Sequence, residues 1–243
     1  MNEDLVDMVE IEDVRTQNGE LPFKEYLPLR TFRGNYGVPR KVDQTVVKGF
    51  FVADDKTITR LVQLQEAYHN ELRLSLTTVP TEINRDGNLF YLTQSFIGGV
   101  NYEQFLQSDA PPKAKRAIYE QLLYDSLNFI SKSDKIVGLD AKPENWMQTQ
   151  EGQWAYIDTF TPFLLDDENI FGDIFTLRDF EKDFVRTPEN SFFRNKRKIA
   201  RRFWMKSEKF YSEMDYLSAT IQVIKCFDQE TSRFFERFME KYK

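Results

Sequence analysis

Asp140, Asn145 and Asp158 stand at spacings of five and thirteen, in the segments Gly138-Leu-Asp-Ala-Lys-Pro-Glu-Asn-Trp-Met and Tyr156-Ile-Asp-Thr-Phe. Two carboxylates and one amide can hold a hard divalent cation through oxygen while one carboxylate stays free to orient a hydroxyl. Magnesium favours such ligands and fills the rest of its shell with water and substrate phosphates. Phosphoryl transfer asks little more of a protein than positioning and neutralised charge.

The residues between them must bring the three together. Trp146-Met-Gln-Thr reads as a short strand and Gln153-Trp-Ala-Tyr-Ile as another, with Glu151-Gly152 supplying the turn of a hairpin. A hairpin returns the end of its second strand to the start of its first, so Asp158 is expected beside Asn145. With 39 acidic residues in the chain the spacing alone is cheap, and surface polar residues around a hairpin would produce it too. The surrounding elements carry the argument further.

The pattern Asp-x-Lys-Pro-x-Asn, a short hairpin and then a hydrophobic-Asp step resembles the metal-binding loops of the protein-kinase-like superfamily. The resemblance implies that Asp140 orients or deprotonates the acceptor hydroxyl and that Asn145 and Asp158 bind magnesium. It also implies that Lys142 lies near the transferred phosphoryl group.

Upstream, Thr45-Val-Val-Lys-Gly-Phe-Phe-Val reads as a strand by its β-branched and aromatic content, and Lys48 inside it is costly unless paired or snorkelling from an edge. A helix is expected from near Asp55 or Thr57 through Glu66 and Glu71. Thr77-Thr-Val-Pro follows, then a strand pair, Glu82-Ile-Asn and Leu89-Phe-Tyr-Leu, joined by Arg85-Asp-Gly-Asn. This order resembles the small lobe of aminoglycoside phosphotransferases and related small-molecule kinases, which implies that Lys48 contacts the nucleotide phosphates and is held by Glu66. The helical stripe Leu61, Leu64, Tyr68 and Leu72 instead places Glu71 nearer the apolar face, so Glu71 is the rival partner. Phe32-Arg-Gly-Asn-Tyr-Gly-Val-Pro supplies Gly34 and Gly37 for a loop over the phosphates, although Gly-x-x-Gly is also an ordinary turn. A Walker-A sequence is absent.

The chain departs from the family in places. Gly138 stands where a His is usual, Leu139 where many protein kinases have Arg, and Thr-Phe-Thr follows Asp158. The acidic stretch after Asp166 is similar to the short segment of antibiotic and sugar kinases. The expected fold is therefore α+β and two-lobed: a small antiparallel β-rich N-lobe with one helix, then a mainly helical C-lobe. Residues 1–27 read as an acidic leader, 28–95 as the nucleotide-binding lobe and 96–243 as the catalytic and substrate-binding lobe. Gln94 to Tyr102, with Gly98-Gly99, is the expected hinge. The implied activity is transfer of the γ-phosphate of ATP (or GTP) with Mg²⁺ to a small-molecule hydroxyl. A pseudokinase scaffold and a protein Ser/Thr kinase are the alternatives.

Composition excludes other classes. A chain of 243 residues with 41% apolar residues and 22 Phe can bury a sizeable core. A net charge of −6 disfavours a general nucleic-acid binder. His69 and Cys226 are single, which removes intramolecular disulfides, Cys/His zinc sites and Ser-His-Asp chemistry, so both read as structural. There is no apolar run of the ~20 residues a bilayer span needs and no basic-then-apolar leader, so a reducing cytoplasm is the expected compartment. One segment opposes the acidic balance: Arg194 to Arg202 carries six cations in nine residues. It reads either as an anion site, for a phosphorylated sugar, lipid headgroup or RNA, or as a solvated helix face pairing with nearby acids. Helices are expected on both sides of it, from Pro111-Pro112 to Ser133 and through the aromatics after Phe203.

Overall fold

β-Branched residues at Thr45-Val-Val and aromatics at Phe50-Phe51 favour the extended strand β2 (Thr45–Phe51), an inner strand of a four-stranded antiparallel sheet, flanked by β1 (Arg40–Val42) and β4 (Leu89–Ser95), with β3 (Thr81–Asp86) outside β4. The computed structural model describes residues 40–42, 44–51, 55–87, 89–133, 138–159 and 194–241. The acidic leader, Gly34, Gly37 and the stretch after Asp166 lie outside them. Lys48 faces Leu92 across β2 and β4, and the β3–β4 turn is made by Gly87 at φ 56°. Helix α1 (Asp55–Ser75) follows β2.

The second sheet is small and antiparallel, in the order β5 (Val100–Asn101), β6 (Trp146–Gln148), β7 (Trp154–Tyr156). Gly152, at φ 82°, turns β6 into β7 as the sequence led us to expect. Strand β5 was not foreseen, and it changes the meaning of Gly99. A Cβ there would overlap the main-chain carbonyl of Gln148 on β6, so glycine is needed for close backbone approach. The expectation that Gly98-Gly99 serves flexibility gives way, at Gly99, to packing.

The remaining helices are α2 (Tyr102–Gln107), α3 (Pro112–Lys132), α4 (Lys196–Phe210), α5 (Tyr216–Ile224) and α6 (Gln229–Lys241). Each has a local cause. Asn101 and Gln104 form a reciprocal capping box for α2, and Pro112 opens α3. Asn195 caps α4 by accepting the Lys198 N–H at 3.0 Å. The described residues are thus α+β, with six helices and two antiparallel sheets. They cluster into two compact units: the four-stranded sheet with α1 as far as Glu66, and the rest from Ala67–Val79 and Ile97 onward.

In the second unit, Tyr68, Leu72, Tyr102, Leu122, Leu127, Trp146, Tyr156, Phe203, Tyr216 and Phe235 form one buried core. Ring pairs knit it, including Tyr119 with Tyr216 at 4.9 Å and Trp146 with Tyr156 at 5.4 Å. Helix α4 joins through Ile199, Phe203 and Ser207, four residues apart and all buried. No helix of the described residues is long and apolar enough to cross a membrane.

Candidate functional site

The loop before β6 is pinned by its apolar members. Leu139, Ala141 and Pro143 are buried, which holds Asp140, Lys142 and Glu144 between fixed points. Two tight main-chain turns, Ala141 N–H to Leu139 and Lys142 N–H to Asp140, precede a 3₁₀ turn over Pro143–Asn145. After the hairpin, the Ile157 N–H donates to the Asn145 carbonyl at 2.9 Å. That bond returns Asp158 to Asn145.

Asn145 Nδ2 donates to the Asp140 main-chain carbonyl at 2.7 Å and lies 3.3 Å from Asp158 Oδ2. The three residues singled out from sequence therefore converge. Tyr156 supports the same loop from the core, its hydroxyl donating to the Asp140 carbonyl at 3.3 Å. Burial, then the nearby Tyr68 and Asp158, holds the Tyr156 hydroxyl well above its usual pKa, so it remains a donor.

Asp140 is 9% exposed and its carboxylate is doubly paired. Lys142 Nζ lies 2.6 Å from one oxygen, and Arg202 Nη1 donates to the other at 2.7 Å. One α-helical turn further along α4, Lys206 reaches Glu144 at 2.6 Å. Charge-assisted bonds of this length fix the carboxylate's orientation and leave each oxygen further lone-pair capacity.

Two supporting residues escaped the sequence reading. Arg202 was one of six cations in a run, and nothing local marks which of them reaches Asp140 across 62 residues. His69 read only as structural; it is 5% exposed and its Nε2–H donates to the Thr159 carbonyl at 3.0 Å, steadying the chain beside Asp158. Burial lowers the His69 pKa, so the neutral ring is favoured. The pairing in the Arg194 to Arg202 run is also divided: Arg202 meets an acid, as a solvated face would, whereas Arg194 donates to the Ile130 carbonyl and Ser133 Oγ. Cys226 is exposed.

Lys48 is half-buried on β2, Glu66 is exposed on α1 and Glu71 is half-buried. Among the described residues no three His, Cys, Asp or Glu side chains gather as a metal site. Asp158 and Asn145 thus offer a cation two protein oxygens from different side chains, too few for a closed protein cage. The chain matches no family model, no curated protein and no solved structure.

Proposed function

We propose that this chain is an ATP- (or GTP-) and Mg²⁺-dependent phosphotransferase of the kinase-like class, acting on a hydroxyl of a small-molecule acceptor. The observation that carries the reading is the convergence of Asn145 on both the Asp140 loop and Asp158. The donor set fits magnesium arriving with a nucleotide: Asn145 Nδ2 bonds both the Asp140 carbonyl and Asp158 Oδ2, which leaves the Asn145 amide oxygen and the second Asp158 oxygen as the donors that would meet an ion, with phosphate oxygens and water completing the shell. Bound there, the ion would neutralise charge on the phosphates.

In this mechanism Asp140 accepts the hydrogen bond of the acceptor hydroxyl, whose oxygen attacks the γ-phosphorus. The bond to the departing nucleoside diphosphate breaks as the new P–O bond forms, and the hydroxyl proton leaves toward Asp140. Lys142 and Arg202 hold the carboxylate in place for that contact. Lys142 also faces the transferred phosphoryl group in this reading, and Lys48, Glu66, Gly34 and Gly37 serve the nucleotide.

The test separates binding from chemistry. Asp158→Ala should abolish magnesium-dependent nucleotide binding by calorimetry. Asp140→Ala should keep that binding but lose at least ~100-fold in turnover, the lower scale for a positioned acid–base group. Equal loss of nucleotide affinity in both variants would contradict the separate roles. A metabolite-library screen for ATP consumption supplies the acceptor. The scaffold reading has one observation in its favour, the occupation of both Asp140 oxygens by cations. Nucleotide binding without ATP consumption on any acceptor would select it.

A further inference from the structure

The first turn of α4 faces a groove of about 960 Å³ that has no part in the Asp140 site. Four cations line it: Arg194, Lys196 and Arg197 at the start of α4, and Arg237 from α6. Phe234 and Phe238 give the same groove an apolar wall. Four like charges in one concavity repel each other, and the chain as a whole is acidic at −6.

Arg194 is engaged by the Ile130 carbonyl and Ser133 Oγ, and two acids, Asp228 and Glu230, only partly offset the other three cations. Asp228 accepts the Thr231 N–H at 3.1 Å and its hydroxyl at 2.6 Å at the start of α6, and the charge of Lys196 acts on it without a direct bond. Glu230 is the other acid in the lining and is exposed. Among the described residues, the side chains of Lys196 and Arg237 form no ion pair and no hydrogen bond. Both helix ends are already capped, by Asn195 and Asp228, so side-chain cations rather than free helix amides would meet a ligand.

Arg197 is preset for such a role. Its guanidinium carbon lies 3.4 Å from the centre of the Phe234 ring. Stacking of this kind fixes the plane of the fork and leaves its edge donors available. Arginine forks suit the oxygens of a phosphate, and a groove of this volume suits a small organic molecule rather than a bare ion.

We infer that the groove between the start of α4 and α6 binds a small phosphate-bearing organic molecule, with its phosphate on Lys196, Arg197 and Arg237 and its apolar part against Phe234 and Phe238. An extended polyanion fits less well, because the net negative charge of the protein opposes it outside the groove.

Calorimetry with inorganic tripolyphosphate in EDTA tests this, since chelation silences any magnesium-dependent site. The wild-type chain should bind, and Lys196→Gln with Arg237→Gln should weaken binding by about tenfold or more, two charge-assisted contacts being removed. Asp158→Ala should leave the affinity unchanged. The inference fails if the wild type shows no binding, if the double variant binds equally well, or if Asp158→Ala removes it. Tighter binding of single-stranded RNA or phosphatidylglycerol vesicles through the same two residues would also overturn it. Melting temperatures of all variants establish that they are folded.

Discussion

Arg202 and Lys206, from the middle of α4 onward, each end on a carboxylate of the Asp140 loop, whereas Lys196 and Arg197, in its first turn, face an open groove beside aromatic rings. One helix thus carries cations of two kinds. Those at the Asp140 end are fixed by carboxylates and hold a loop in place; at the other end Arg197 lies on the Phe234 ring and Lys196 acts on Asp228 without forming an ion pair. Burial separates them further, because the Asp140 side chain is 12% exposed, so its pairing is screened less by water than the groove is. A cation that stabilises its surroundings needs no ligand to account for it.

The widest expected gap between the two ends is in stability. Arg202→Ala strips one partner from a nearly buried carboxylate and should cost about 2 kcal/mol, the range for hydrogen bonds to charged groups. Lys142 remains to limit the loss. Urea titration would show it. A double-mutant cycle with Asp140→Asn should recover a coupling of at least about 0.5 kcal/mol. Zero coupling would erase the distinction between the two ends of the helix.

A pH titration of stability probes the same end. The His69 pKa is lowered by burial, so the unfolded chain takes up its proton first as pH falls. Stability from this group is therefore complete above the usual histidine value of 6.5 and is lost as pH drops through the lower folded value. The slope cannot exceed about 1.4 kcal/mol per pH unit for one proton. His69→Gln should flatten that part of the profile, read as melting temperature between neutral and mildly acidic buffer. An unchanged profile would mean that the Thr159 contact does not control protonation.

What the sequence revealed follows the range of the interactions. Gly152, with a short strand-like segment on each side, made the Trp146–Tyr156 hairpin legible, and the hairpin alone brings Asp158 back to Asn145. Pro112 and the apolar period to Ile130 marked α3 in the same way. Arg202 was illegible because its partner lies 62 residues away and five neighbouring cations look alike. Strand β5 has two residues, too few for any period, so the packing need for Gly99 could not be seen beside it. Glu66 and Glu71 were left open by a conflict between motif spacing and amphipathicity. The helix leaves Glu66 exposed and half-buries Glu71, in line with the apolar stripe.

Lys206→Ala should fall between the extremes. Its pair with Glu144 is 41% and 32% exposed on the two sides, and such pairs contribute about 0–1 kcal/mol. Most of that should vanish in 1 M salt, where screening acts over about 3 Å. If Lys206→Ala matched Arg202→Ala in cost at high salt, then burial would not be what distinguishes the pairs.

The smallest effect is the most discriminating. Lys196→Ala should change stability by no more than about 0.5 kcal/mol, as surface substitutions away from special features do. The effect should stay near zero at low salt, because relief of repulsion from neighbouring cations offsets the loss of attraction to Asp228. A cost near that of Arg202→Ala would show that Lys196 has structural work in the fold. The groove's charge would then be explained without any ligand, and the two ends of α4 would differ only in how deeply their partners are buried.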